Sequence, residues 1–94
     1  MAAREIEALG VSVEAEENVL EDFDVLEAIA ELQDGSLGGS EKLSAMVRLL
    51  KALLGGEQYA RAKKELREKS GGRLGVEEMA KFLTELINAL DAKN

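Results

Sequence analysis

Two segments of the chain repeat apolar residues at the spacing of an α-helix. Between residues 43 and 54, and again between 76 and 90, apolar side chains recur every three or four positions and therefore share one helix face. The 94 residues include no proline that would break such helices from inside. The pattern predicts two amphipathic helices, over about 41–54 and 76–91. Their apolar faces comprise Leu43, Met46, Val47, Leu50, Leu53 and Leu54, and Val76, Met79, Leu83, Leu86, Ile87 and Leu90.

A third helix is predicted from about residues 19–24 to residue 34, and it is apolar over about half of its circumference. Asn18 and Asp24 are each followed three residues later by Glu, an arrangement that caps helix starts, and Gly35 ends the helix. A helix this apolar is expected to pack on two neighbours. Its main stripe comprises Phe23, Leu26 and Ala30, and Val25, Ile29 and Leu32 widen that stripe.

A polar helix over about 57–69 completes the predicted bundle, since short links between helices favour compact packing. Residues 1–18 are harder to assign, because scattered apolar residues surround Gly10 among five Glu. A short β-hairpin, a loose helical turn and disorder all fit this segment. We expect a single all-α domain over 1–94, with about four helices in a core over 19–91 and a poorly defined N-terminal segment over 1–18.

The residues that most enzymes and metal sites use are missing. The chain has no His and no Cys, which leaves only carboxylates as metal ligands. Asp22 and Asp24 begin an Asp-x-Asp pattern, but Leu26 follows where a calcium-binding loop needs an oxygen ligand. We therefore expect no enzyme activity, no metal site and no cofactor.

Nucleic acid and membranes are also unexpected partners. The basic stretch from Arg61 to Arg73 has one nearby aromatic residue, Tyr59, in a chain of net charge −7, which favours a solvated helix over a nucleic-acid interface. The chain contains no run of 18 apolar residues, the length needed to span a membrane, and its N-terminus lacks the apolar core of a signal peptide. We expect a cytoplasmic protein.

Charge is divided unevenly along the chain. Residues 1–34 carry 11 acids and one base, a net charge of −10, whereas residues 35–94 carry 8 acids and 11 bases, a net charge of +3. Solvated helix faces explain this division. Contact between the acidic part of one copy and the basic part of another also explains it, and such a head-to-tail contact builds rings or filaments. A homo-oligomer is therefore one interpretation.

Three apolar residues lie beside the main stripes and are the candidate partner-binding residues. Leu49 and Phe82 each fall about 40° beyond the edge of the apolar face of their helix, and Val25 does the same on the helix before residue 34. A broad core face is one interpretation. The other is an exposed apolar strip that binds a helical protein partner.

The sequence around Ser36 suggests a different function. Asp34-Gly35-Ser36-Leu37 is similar to the Asp-Ser-Leu motif of acyl carrier proteins, which are small, acidic and helical and carry a prosthetic arm on that serine. Here Gly35 separates the Asp from the Ser, and further glycines follow. A carrier protein modified at Ser36 is therefore an alternative hypothesis.

Three blocks of sequence resemble the tail assembly chaperones of long-tailed bacteriophages. They are Asp22–Gly35 (DFDVLEAIAELQDG), Leu53–Tyr59 (LLGGEQY) and Gly72–Glu78 (GRLGVEE), in the family's order and with similar spacing. From the first to the last they extend over residues 22–78, about three-fifths of the chain. The sequence departs from the family pattern at Gly75, where proline or another small residue is usual.

The resemblance implies a specific role. Chaperones of this family bind the tape measure protein, a very long helical polypeptide, and keep its apolar surface from aggregating until tail tube subunits polymerise around it. We therefore expect a chaperone that binds the tape measure protein. A generic helical adaptor for another protein is the remaining alternative.

Overall fold

Two β-strands precede four α-helices in the computed structural model, which describes residues 3–91. The expected ends of the domain, residues 1–2 and 92–94, lie outside the described residues. The mostly helical architecture is confirmed, but a purely all-α fold is wrong, because the N-terminal segment forms a sheet. The elements are β1 (Ala3–Ala8), β2 (Val11–Glu16), a 3-10 turn (Val19–Glu21), α1 (Phe23–Gln33), α2 (Gly39–Leu54), α3 (Gly56–Lys69) and α4 (Val76–Asp91).

The N-terminal segment is an antiparallel hairpin, one of the three structures that the sequence left open. Ala3 pairs with Glu16 and Ala8 with Val11, so that alternate side chains share a face. Leu9 and Gly10 connect the strands with φ angles of 50° and 79°, the backbone of a tight hairpin turn. The inner face is buried and consists of Ile6, Ala8, Val11, Val13 and Ala15.

Polar side chains of α3 cover the free edge of β2. The Gln58 amide donates to the Glu14 carbonyl oxygen and accepts from the Glu14 N–H, each at 2.7 Å. Arg61 Nη2 donates to the Ser12 carbonyl oxygen at 3.0 Å. An uncovered strand edge can pair with another chain, so these bonds both attach the hairpin to α3 and protect its edge.

The hairpin and the helices enclose one apolar core. The inner face of the hairpin packs against α2, α3 and α4, and the core extends from Ile6 to Leu90. Val25, Leu49 and Phe82, the predicted partner-binding residues, are each fully buried in it. Of the two interpretations that the sequence left open for these residues, the broad core face is therefore confirmed and the exposed strip is wrong. The hairpin adds an apolar surface that a bundle of helices alone lacks, and a wider arc of each helix can be buried.

The main predicted stripe of α1 faces outward, whereas the residues predicted to widen that stripe face the core. Val25 and Ala28 are buried, whereas Phe23 and Leu26 point outward and are 75% and 50% exposed. The helix packs mainly against α2 and not on two neighbours as expected. Asp22 caps its start instead of Asn18 or Asp24, with the carboxylate accepting from the N–H groups of residues 24 and 25.

The other helices follow the predicted bounds closely. Gly55 alone separates α2 from α3, with φ 82° and ψ 158°, a conformation that essentially only glycine adopts. Glu78 accepts from the Gly75 N–H at 2.7 Å, and Glu41 does the same for Gly38 at 2.8 Å, so each acid supports the start of its own helix.

The two phenylalanines provide a matched test of this core. Phe82 is 0% exposed, so Phe82→Ala should lower the free energy of unfolding by about 3–5 kcal/mol. Phe23→Ala removes the same atoms from an exposed site and should change it by less than about 0.5 kcal/mol. Urea denaturation followed by circular dichroism measures both values. Equal losses in the two variants would contradict the placement of these side chains.

Candidate protein-binding surfaces

One exposed apolar surface lies on α1, on the side away from α2. Phe23, Leu26 and Ala30 are exposed at helical spacing, and we call these three residues the α1 outer face. Asp24 and Glu27, also exposed, lie beside it. Single exposed apolar residues are common, but an exposed Phe next to an exposed Leu on one helix face is a candidate contact site.

A second apolar surface is a groove where α2, α3 and the start of α4 meet. Its volume is about 150 Å³, and we call it the α2–α3–α4 groove. Leu43 and Val76 at its border are 42% and 59% exposed. The remaining apolar residues of its lining are Met46, Val47, Leu50, Tyr59, Leu74 and Met79, together with Gly75.

The edge of this groove is positively charged. Lys63 and Arg67 of α3 complete its lining, which contains no acidic residue. Lys63 Nζ and Lys51 Nζ lie 4.9 Å and 5.7 Å from the centroid of the Tyr59 ring, within the range of cation–π attraction. The groove therefore combines an apolar floor with a cationic side, which suits an apolar ligand that carries acidic groups.

The two surfaces lie on roughly opposite sides of α2. Arg48 of α2 forms an ion pair with Glu31 of α1, which identifies the flank of α2 that α1 covers. Met46 and Leu50 line the groove, and at 100° per residue they face away from Arg48. The α1 outer face of one molecule therefore cannot fill the groove of that same molecule.

One cavity is acidic and open to solvent. It has a volume of about 610 Å³ and is lined by Glu16, Glu21, Asp22 and Asp24, with Asn18, Val19 and Ala52. Asp22 already accepts the N–H groups at the start of α1. No group of three or more potential ligands within residues 3–91 is arranged to hold a metal ion. We assign no chemistry to this cavity.

Ser36 lies in an exposed turn, three residues before α2 begins at Gly39. Its hydroxyl and its N–H donate to Asp34 Oδ1 at 2.7 Å and 2.9 Å. These two bonds, the hydroxyl first, hold the pKa of the Asp34 carboxyl below its ordinary value of 3.8. The serine of the carrier-protein motif stands at a helix start, which Ser36 does not, so the structure offers no support for the carrier hypothesis.

Sequence reasoning located neither surface correctly. Val25, Leu49 and Phe82 lie in the core, and their contact with a partner stays a prediction that would require the core to open. Phe23 and Leu26 are exposed instead, although both belong to the predicted core stripe of their helix. One signal was available, because α1 has apolar residues on both sides and a helix with one neighbour must expose one of them.

Comparisons with models of protein families, with curated proteins and with solved structures each gave no match. In the part of the chain that the structure describes, no helix combines the length and the apolar character needed to cross a membrane. The candidate surfaces therefore rest on the geometry described above.

The turn at Ser36 generates a prediction about Asp34. Ser36→Ala removes the hydroxyl donor but keeps the N–H donor, so the pKa of Asp34 should rise part of the way toward 3.8. A lowered pKa favours the folded protein above pH 3.8, and this contribution is lost as the pH falls through the folded-state value. An NMR titration of the Asp34 carboxyl carbon measures the shift. Ser44→Ala serves as the control, and an unchanged Asp34 pKa in Ser36→Ala would contradict the hydrogen bond.

Proposed function

We propose that this protein is a phage tail assembly chaperone that binds the tape measure protein and keeps it soluble in the host cytoplasm. The observation that carries the proposal is the α2–α3–α4 groove. Two of the three blocks that resemble the family contribute to its lining, the second through Tyr59 and the third through Leu74, Gly75 and Val76. The remaining block forms α1, which carries the exposed Phe23 and Leu26.

The groove suits an amphipathic helix. Apolar anchors of such a helix, three or four residues apart, bind in a groove while its polar face stays in water. Met46 and Met79 line the groove, and flexible thioether side chains adapt to anchors of different shape. A chaperone for a long helical polypeptide needs this tolerance, because each copy must accept a different segment of the client.

The net charge supports the same role. A charge of −7 on 94 residues keeps the chain, and a complex that it forms, soluble through mutual repulsion. Lys63 and Arg67 reverse the sign locally at the groove. The groove should therefore prefer client segments whose apolar anchors are flanked by Asp or Glu. A generic adaptor would use the same groove with another client, so the identity of the client separates these two functions.

Co-expression with a tape measure protein from the same genome tests the proposal. We expect the wild-type chain to raise the soluble fraction of that protein and to co-purify with it. Leu43→Glu/Val76→Glu places two charges in the groove and should weaken binding by about 2 kcal/mol or more, roughly 30-fold, since a buried anchor would meet an unpaired carboxylate. Isothermal titration with a soluble segment of the tape measure protein measures the loss.

Ala80→Glu/Thr84→Glu is the matched control. It also adds two negative charges, but at exposed positions of α4 that do not line the groove. This variant should bind the tape measure segment like the wild type. A tape measure protein that stays insoluble with the wild-type chain, or a groove variant that binds as tightly as the control, would refute the proposal.

A further inference from the structure

We infer that a second copy of this chain occupies the α2–α3–α4 groove through its α1 outer face, so that free chains associate head to tail. The groove matches the Phe23 side chain in size. Phe23 projects from α1 with three-quarters of its surface exposed, and the groove has a volume of about 150 Å³. An apolar protein cavity of about this volume binds one benzene molecule. The groove therefore has room for the ring of Phe23.

The α1 outer face and the groove also carry complementary charges. Asp24 and Glu27 lie beside Phe23 and Leu26 on α1, and Lys63 and Arg67 lie beside the groove. When Phe23 enters the groove, these acids come next to the bases, whereas two α1 outer faces brought together would place acids against acids. Complementary charge therefore favours the contact of α1 with the groove over the contact of α1 with α1.

The positions of the two surfaces allow more than two copies to associate. Since α1 and the groove lie on opposite sides of α2, a copy bound through one surface leaves its other surface free for a third copy. A contact of this kind is heterologous and extends into a ring or an open chain. Leu26, one turn from Phe23, would then cover Leu43 or Val76, the two exposed apolar residues at the border of the groove.

Self-association has a consequence for client binding, and this consequence alone rests on the proposed function. The client helix and the α1 outer face of the next copy would compete for one groove. Client binding then separates neighbouring copies, and a helix that resembles α1, with Phe and Leu three residues apart beside Asp or Glu, is the class of client segment that competes best.

Two complementary variants test the interface without any client. Phe23→Glu/Leu26→Glu removes the α1 outer face and keeps the groove, whereas Leu43→Glu/Val76→Glu keeps the α1 outer face and blocks the groove. All four positions are exposed, so both variants should keep the wild-type midpoint of unfolding. Sedimentation velocity measures the mass of each protein over a range of concentrations.

The wild type should grow beyond a dimer as its concentration rises, and each variant alone should stay monomeric. An equimolar mixture of the two variants should form a dimer and nothing larger, because one free α1 outer face meets one free groove. Ala80→Glu/Thr84→Glu should assemble like the wild type. A wild type that stays monomeric up to about 1 mM, so that any dissociation constant is weaker than millimolar, overturns the inference. The inference is also overturned if either variant assembles on its own, or if the mixture of the two stays monomeric.

A charge exchange adds a second readout. Lys63→Glu/Arg67→Glu should weaken association about tenfold or more, and mixing it with Asp24→Lys/Glu27→Lys should restore association. Failure to restore it would overturn the charge argument. Client binding is measured separately on the monomeric Phe23→Glu/Leu26→Glu variant, whose groove is intact. Client binding by this variant, together with a wild type that stays monomeric, refutes only self-association. Assembly of the wild type without client binding refutes only the proposed function.

Discussion

The structure depends on the contact between the inner face of the hairpin and the helices. A chain of 94 residues buries only about 60–65% of its unfolded surface, so every apolar side chain of the thin core matters. α3 packs on β2 and α4 packs on β1, each more extensively than the two helices pack on each other. Gln58 and Arg61 fix this arrangement, because their hydrogen bonds join α3 to the backbone of β2. The hairpin thus connects helices that would otherwise have little shared surface.

The two exposed surfaces follow from this arrangement. With the hairpin packed among α2, α3 and α4, α1 is left on the outer flank of α2 and packs mainly against that helix. A helix with apolar residues on both sides and one main neighbour must expose one side, which here carries Phe23 and Leu26. The groove has a related origin, since the hairpin packs between α3 and α4 and the two helices meet α2 without closing over Leu43.

The sequence predicts the helices well and the surfaces poorly, for physical reasons. Helical periodicity and glycine located α2, α3 and α4 to within about two residues, because those signals act over short distances. The hairpin was only one of three possibilities, since the turn at Leu9-Gly10 lacks the usual Asn or Asp and alternation with Glu also suits disorder. Which side of α1 faces inward depends on a distant neighbour, and the burial of Val25, Leu49 and Phe82 depends on the hairpin. Local patterns contain neither fact.

An exposed phenylalanine promotes aggregation unless neighbouring residues limit the surfaces that it can contact. Here the restriction is charge, since residues 1–34 have a net charge of −10 and repel the same region of another copy. On the outer face of the hairpin, Glu5 even stands directly opposite Glu14, a pairing that costs stability within the sheet. The acidic residues around Phe23 repel most apolar surfaces of another copy, because that copy is acidic too. Apolar surfaces with a basic edge are not repelled in this way. Lys63 and Arg67 supply such an edge beside the groove, so in the proposed self-association the charge division would favour this contact over the others that apolar burial alone would allow.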